Sequence, residues 1–243
     1  QDVVGVGVGV YGARDVATSR ILVACTRVDA ATSAGSGYGV YAARGASLSL
    51  DGALPAGEAS LSRGSQVLGN ARAGVVVETG ASSARDTTLA LRGAFVASND
   101  GPGIILQRGA AATEISYARV VDNAGLGLGL TEGTRVGEIL CDQFTDTRPA
   151  TLPTTVGPFA VGDGLSVYAA SVTRADDNDL SRNGRFGALL GDATARLTGN
   201  RGADNLYGVG NYAPRSVSLD ATNRVSGRAT SPAVAPPITL GSM

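Results

Sequence analysis

Asp176-Asp177-Asn178-Asp179 places three carboxylates within one short segment, and Asp163 precedes it closely. Carboxylate and amide oxygens suit Ca2+, so Asp176, Asp177 and Asp179 are candidate metal ligands. A pair of carboxylates is also the equipment of glycoside hydrolysis. The competing reading is a solvated turn, since local acidic clusters on loops are common. A second group is Tyr11 and Tyr41 with Arg14, Arg44 and Arg108. Tyrosines stacked between guanidinium groups would hold an acidic polysaccharide. Histidine is absent, which excludes His-based triads, His metal sites and His general bases from this chain.

Such residues act only if the chain brings them together, and the sequence repeats in a way that can. Asn70, Asn99, Asn123 and Asn183 each stand four residues before a glycine, at 74, 103, 127 and 187, and an apolar pair follows. Glycines at 9, 39, 74, 103, 127, 164, 187 and 208 anchor eight copies, 21 to 37 residues apart. Self-similarity of this length marks stacked repeats. Within each copy the first and third residues after the glycine are mostly apolar, such as Val40/Ala42, Val75/Val77, Ile104/Leu106 and Leu128/Leu130. Alternate side chains of a strand face opposite sides, so this column points inward. The residue between them then points outward, and Tyr11, Tyr41, Val76 and Ile105 form an apolar outer stripe. Such a stripe marks either a partner surface or a surface covered by part of the chain itself. The asparagines, with Asn205, read as a ladder that satisfies backbone groups where the chain bends; the other reading is a polar binding track.

Composition narrows the classes. Aromatic residues are only 5% and Trp is absent, so Val, Leu, Ile and Ala must fill a narrow interior. The 35 glycines are too many for a helical protein and too aperiodic for collagen. A net charge of −1 gives no electrostatic case for nucleic acid as a partner. No apolar run is long enough for a membrane span. All 20 basic residues are Arg, a bias consistent with a GC-rich bacterial genome. Gln1 opens directly in Val/Gly alternation with no signal peptide, so the expectation is that a leader was removed or the chain was excised from something larger.

The Asn-x-x-x-Gly-apolar-x-apolar copies, the Gly-Ala turns and Asp177-Asn178-Asp179-Leu180-Ser181-Arg182-Asn183 resemble right-handed parallel β-helix repeat proteins of the pectate-lyase-like superfamily. The closest flavour is the secreted or surface β-helix proteins of GC-rich bacteria. The resemblance implies an all-β fold: a single-stranded right-handed parallel β-helix, a solenoid of about eight turns with loop insertions. It covers residues 5–225. We expect the β-helix to occupy 1–225, about 38 Å long at ~4.8 Å per turn, with a Pro-rich extended tail over 226–243. Val217 to Val225 reads as a final strand pair. The architecture hosts lyases, hydrolases, esterases and non-catalytic surface proteins, so it does not fix chemistry. Arg and Ca2+ chemistry, as in pectate lyases, survives the lack of His, but no motif of those enzymes is present, and the polygalacturonase pattern is contradicted.

The leading functional expectation is a non-catalytic extracytoplasmic module, extracellular or on the cell surface, that binds polysaccharide or protein or is structural. The alternative is a Ca2+-dependent lyase or hydrolase of acidic glycans, with Ca2+ as its cofactor; the first expectation needs no cofactor. Two insertions, 51–65 and 145–162, interrupt the repeats, and the second should pack outside the coil with Phe159 as its anchor. Cys25 and Cys141 occupy equivalent places four turns apart, about 19 Å at ~4.8 Å per turn. A disulfide needs Cα atoms within ~7 Å, so both are expected as buried, unpaired thiols.

Overall fold

A computed structural model describes residues 3–4, 6–11, 20–24, 27–29, 31–32, 37–51, 65–81, 83–154, 157–212 and 215–231. Among these the chain is all-β, with no helix. Three sheets of parallel strands make up its body. Sheet I contains Val6–Tyr11, Tyr38–Ala43, Ala73–Glu78, Ile104–Gln107, Leu126–Thr131, Asp163–Tyr168, Phe186–Gly191 and Tyr207–Tyr212. Sheet II contains Arg20–Ala24, Ser47–Asp51, Thr88–Arg92, Ala111–Ser116, Arg135–Leu140, Ser171–Asp176, Thr194–Thr198 and Ser216–Leu219. Sheet III has shorter strands: Arg27–Asp29, Gln66–Leu68, Phe95–Ala97, Arg119–Val121 and Gln143–Thr145. Its direction continues through single bridges from Gln143 to Asp179 and from Asp179 to Arg201, then Arg201–Asn205 pairs with Arg224–Gly227. The chain visits sheets I, II and III in rotation, and each strand pairs with its counterpart from the circuit before and after. Ser216–Leu219 and Arg224–Gly227 therefore lie in different sheets rather than pairing with each other.

Sheet register follows the glycine anchors. Val40, Val75, Ile104, Leu128, Leu165, Ala188 and Val209 are successive partners. All but Val209 are buried, and Val209 is half-buried against the core. Each fully buried Val, Leu or Ile contributes ~1.5–3 kcal/mol relative to exposure, and here that burial comes from the circuits on either side. The first copy departs from expectation. Val8, not Val10, pairs with Val40, and Gly9, not Tyr11, pairs with Tyr41. The run Val4-Gly-Val-Gly-Val-Gly-Val10 offers the same pattern at every second residue. A slip of two keeps every side chain on its face and costs no burial, so alternation alone does not choose between the two registers.

Glycine at the anchor is required by the neighbouring circuit. A Cβ on Gly39 would lie 2.7 Å from Asn70 Nδ2, and one on Gly103 would lie 2.8 Å from Asn123 Nδ2. Gly164 would bring the same clash at 2.5 Å with Asn183. The asparagine of one circuit thus lies against the anchor glycine of the circuit before it, which explains why the two residues recur together.

The insertion at 145–162 forms an antiparallel hairpin, Ala150–Thr154 with Gly157–Val161, packed outside sheet I. Leu152 and Val161 are its buried members; Phe159 is half-buried, beneath the Arg185 guanidinium. The expected packing holds, but two aliphatic side chains anchor it more deeply than Phe159. Ile105 of the outward stripe is buried in this contact. Most of the 51–65 insertion lies outside the described residues.

Candidate functional site

The acidic run does not assemble as three ligands on one centre. Asp176 ends a strand of sheet II, and its Oδ2 is 3.2 Å from Arg174 Nε; Arg174 also meets Glu138 at 3.1 Å. Asp177 follows in the left-handed region at φ 57°. Asp179 sits in the sheet III bridge, and its Oδ1 accepts a 2.5 Å bond from Ser181 Oγ. Among the described residues no group of three or more His, Cys, Asp or Glu side chains is placed to hold a metal ion.

Asp177 and Asp179 instead line a cleft of about 350 Å3 with Cys141, Asp142, Gln143, Gly199 and Arg201. Its construction is columnar. Cys141, Asp177 and Gly199 are bend residues of three successive circuits, all left-handed, at φ 56°, 57° and 65°. Gln143, Asp179 and Arg201 are joined by the sheet III bridges. Gly199 makes room for its neighbour: a Cβ there would lie 2.2 Å from Asp177 Oδ1. Cys141 is free and exposed, which corrects the expected burial. Its strand runs in register through Ser116, Arg92 and Asp51 to Ala24, the residue before Cys25, four strands away. The register thus sets Leu140, the residue before Cys141, in line with Ala24, and at Cys141 the chain makes an outward bend. Desolvation first, then the charges of Asp177, Asp142 and Asp176, raise the Cys141 thiol above its ordinary value. The Cys25 side chain lies outside the described residues.

Between the two cleft columns runs a buried one that sequence reading missed. Ala118 N–H donates to Asp142 Oδ1 at 2.6 Å, Asp142 N–H to Asn178 Oδ1 at 2.9 Å, Asn178 N–H to Asn200 Oδ1 at 3.0 Å and Asn200 N–H to Asn223 Oδ1 at 3.1 Å. This is a second ladder beside the expected one. In the first, Asn70 N–H donates to Asn99 Oδ1 at 2.9 Å and Asn99 N–H to Asn123 Oδ1 at 3.2 Å. Thr147 interrupts it, then Thr147 N–H donates to Asn183 Oδ1 at 3.1 Å and Asn183 N–H to Asn205 Oδ1 at 2.8 Å. The asparagines are buried and hold backbone to backbone, as the ladder reading expects. The second ladder was discernible only as an equal offset after the ends of sheet II strands, at 140, 176 and 198.

The tyrosine and arginine group is partly gathered. Tyr41 stacks on Tyr38 with ring centroids 5.8 Å apart, and its hydroxyl donates to Glu78 Oε1. Glu78 Oε2 accepts from Arg108 at 3.1 Å and from Gln107 at 2.9 Å; Arg108 also reaches Glu132 at 3.8 Å. Arg44 is exposed at a left-handed turn. Tyr11 pairs with Ala43, two residues beyond Tyr41. Arg14 lies outside the described residues. Tyr38, Ala73 and Val76 form a buried cluster with Tyr41 half-buried, so this end of the stripe is covered too.

Behind the hairpin, Asp163 is fully buried and forms a two-point pair with Arg185 at 2.7 and 2.5 Å. Burial raises the Asp163 carboxyl, and the guanidinium works against that rise. Arg185 also donates to Ala160 O and lies over Phe159 and Phe186. These contacts fasten the hairpin to sheet I.

Compared with family models, curated proteins and solved structures, the chain matches none. No helix among the described residues is long and apolar enough to cross a membrane.

Proposed function

We propose that this chain is a right-handed parallel β-helix of the pectate-lyase-like kind and serves as a non-catalytic, extracytoplasmic binding or structural module, with a polysaccharide or protein as its partner. The support for the fold is the rotation of the chain through three parallel sheets with strand partners one circuit apart. One observation carries the functional reading: the repeated polar side chains are engaged with one another between circuits. The two ladders bind backbone groups, Tyr41, Glu78 and Arg108 form one connected chain, and Arg182–Asp146 and Arg215–Asp192 tie neighbouring circuits from outside. Catalytic groups need a free face toward a reacting atom and a partner that tunes them. Side chains organised this way build a rigid, regular surface, which suits a scaffold or docking face.

Incubation with uronate polymers and Ca2+, following unsaturated product and reducing ends, tests this reading. We expect no product above background. Turnover that disappears in Asp177→Ala would overturn it and establish a glycan-active enzyme at the acid-lined cleft. Co-sedimentation with the same polymers then separates a polysaccharide partner, which retains the protein in the pellet, from a protein partner, which does not need the polymer.

A further inference from the structure

The rung that ends the second ladder is an acid where the others are amides. In the asparagine rungs the oxygen and nitrogen have separate tasks. Oδ1 accepts a backbone N–H from the circuit before. Nδ2 donates to a strand carbonyl: Asn178 to Ile139 at 3.1 Å, Asn200 to Ala175 at 2.8 Å and Asn223 to Leu197 at 2.7 Å. Asn178 and Asn200 also donate Nδ2 to the next rung's Oδ1, each at 2.8 Å. Asp142 keeps the first task through Oδ1 and Ala118 N–H. Its Oδ2 takes the place of the donor. Ile115, Ile139, Ala175 and Leu197 are successive register partners. The carbonyl that matches this rung is therefore that of Ile115, and the next rung offers Asn178 Oδ1. Both are acceptors. Asp142 is 1% exposed, and Oδ2 is buried with no hydrogen-bond partner. A carboxylate there would set one buried acceptor against two others, an arrangement as costly as an orphaned polar group.

We propose that Asp142 carries a proton on Oδ2 in the folded chain at neutral pH, acting as an asparagine-like rung, and that its ionisation is a pH-sensitive release of the ladder end beneath the acid-lined cleft. The surroundings agree. Cys141 belongs to the same bend, Glu114 faces it from the preceding circuit, and Asp177 and Asp179 belong to the following one; Arg201 is the cation lining the cleft among the described residues. Burial pushes the Asp142 carboxyl up to about 8, Glu114 adds to the rise, and the backbone N–H groups of Ala118 and Leu140 oppose it. The folded value stands above the ordinary 3.8, so between the two the folded chain holds a proton that the unfolded chain has lost. The contribution of this rung is whole below about pH 4, declines as pH rises, and levels off above about pH 8.

Unfolding equilibria of the wild type and Asp142→Asn, measured across about pH 5 to 9, test the proposal. The folding constant of the variant divided by that of the wild type should rise about tenfold per pH unit from about pH 5 to 7, then level near pH 8. A ratio that moves less than about threefold over that range overturns the proposal. Should the variant fail to fold, the 13Cγ shift of Asp142 in the wild-type chain decides. A protonated shift at about pH 6 that moves with a midpoint near 8 supports the proton; an ionised shift throughout removes it.

Discussion

The two ladders solve one problem with different tolerances. Both run through successive circuits at bends, and both satisfy the backbone N–H of one circuit with the side-chain oxygen of the next. The first lies against the column of anchor glycines, because its amides approach the sheet I backbone too closely for a Cβ. It is broken once, at Thr147, whose hydroxyl is buried without a partner. The second starts later, at Asp142 after the alanines of earlier circuits, and has an ionisable first rung. A gap in a ladder costs an orphaned group, whereas a charge in a ladder costs a proton. The first defect is fixed at every pH; the second follows the solvent.

Mutations can widen or close that difference. The largest effect belongs to Asn99→Ala. It removes the oxygen that accepts from Asn70 N–H and Asn70 Nδ2, and it takes the Nδ2 donor from Asn123 Oδ1, which keeps only the backbone N–H of residue 99. With ~1–3 kcal/mol for each buried group left unpaired, we expect a loss of about 3–5 kcal/mol in urea unfolding, with little dependence on pH. Gly103→Ala should follow. Its Cβ would fall 2.5 Å from Val120 Cγ1 and 2.8 Å from Asn123 Nδ2, so the rung must shift, at ~2–3 kcal/mol for overpacking. The smallest effect is a gain. Thr147→Asn supplies the missing amide between Asn123 and Asn183 and should raise stability by about 1 kcal/mol, the net value of one added hydrogen bond. A loss instead would mean that the first ladder has no room for an amide at that circuit.

How much of this was legible follows from what marks each residue. The first ladder could be read because each asparagine travels with a glycine four residues on, and both are demanded by the same close approach. The second ladder has mixed members, Asp142 then Asn178, Asn200 and Asn223, so no repeated word exposes it. Seven anchors gave the right register; the eighth slipped because Val-Gly alternation is degenerate at two residues. The insertion was expected to pack outside, but the pairing of its two arms, which carry Pro153 and Pro158, was not read from the sequence. The two prolines are register partners in a two-stranded unit whose strands are both edges, where proline is tolerated. The cleft was half visible. Asp177 and Asp179 are two residues apart in sequence, but Asp142, Gln143 and Arg201 join them only through stacking. Cys141 was misplaced because an apolar pair precedes it, whereas φ turns left-handed at that residue and aims it outward.

The hairpin also says something about how such a surface can change over time. Leu128 and Leu165 are direct partners although the chain between them detours through residues 150–161. The detour leaves and rejoins at neighbouring points, with Ala150 opposite Val161. To the core, a circuit with the hairpin and a circuit without it are the same circuit. Bends between these sheets are therefore graft points, where a lineage or a designer can exchange an outer segment for another whose ends meet at the same spacing. What the molecule shows to its surroundings can be rewritten there while the stack that carries it stays as it is.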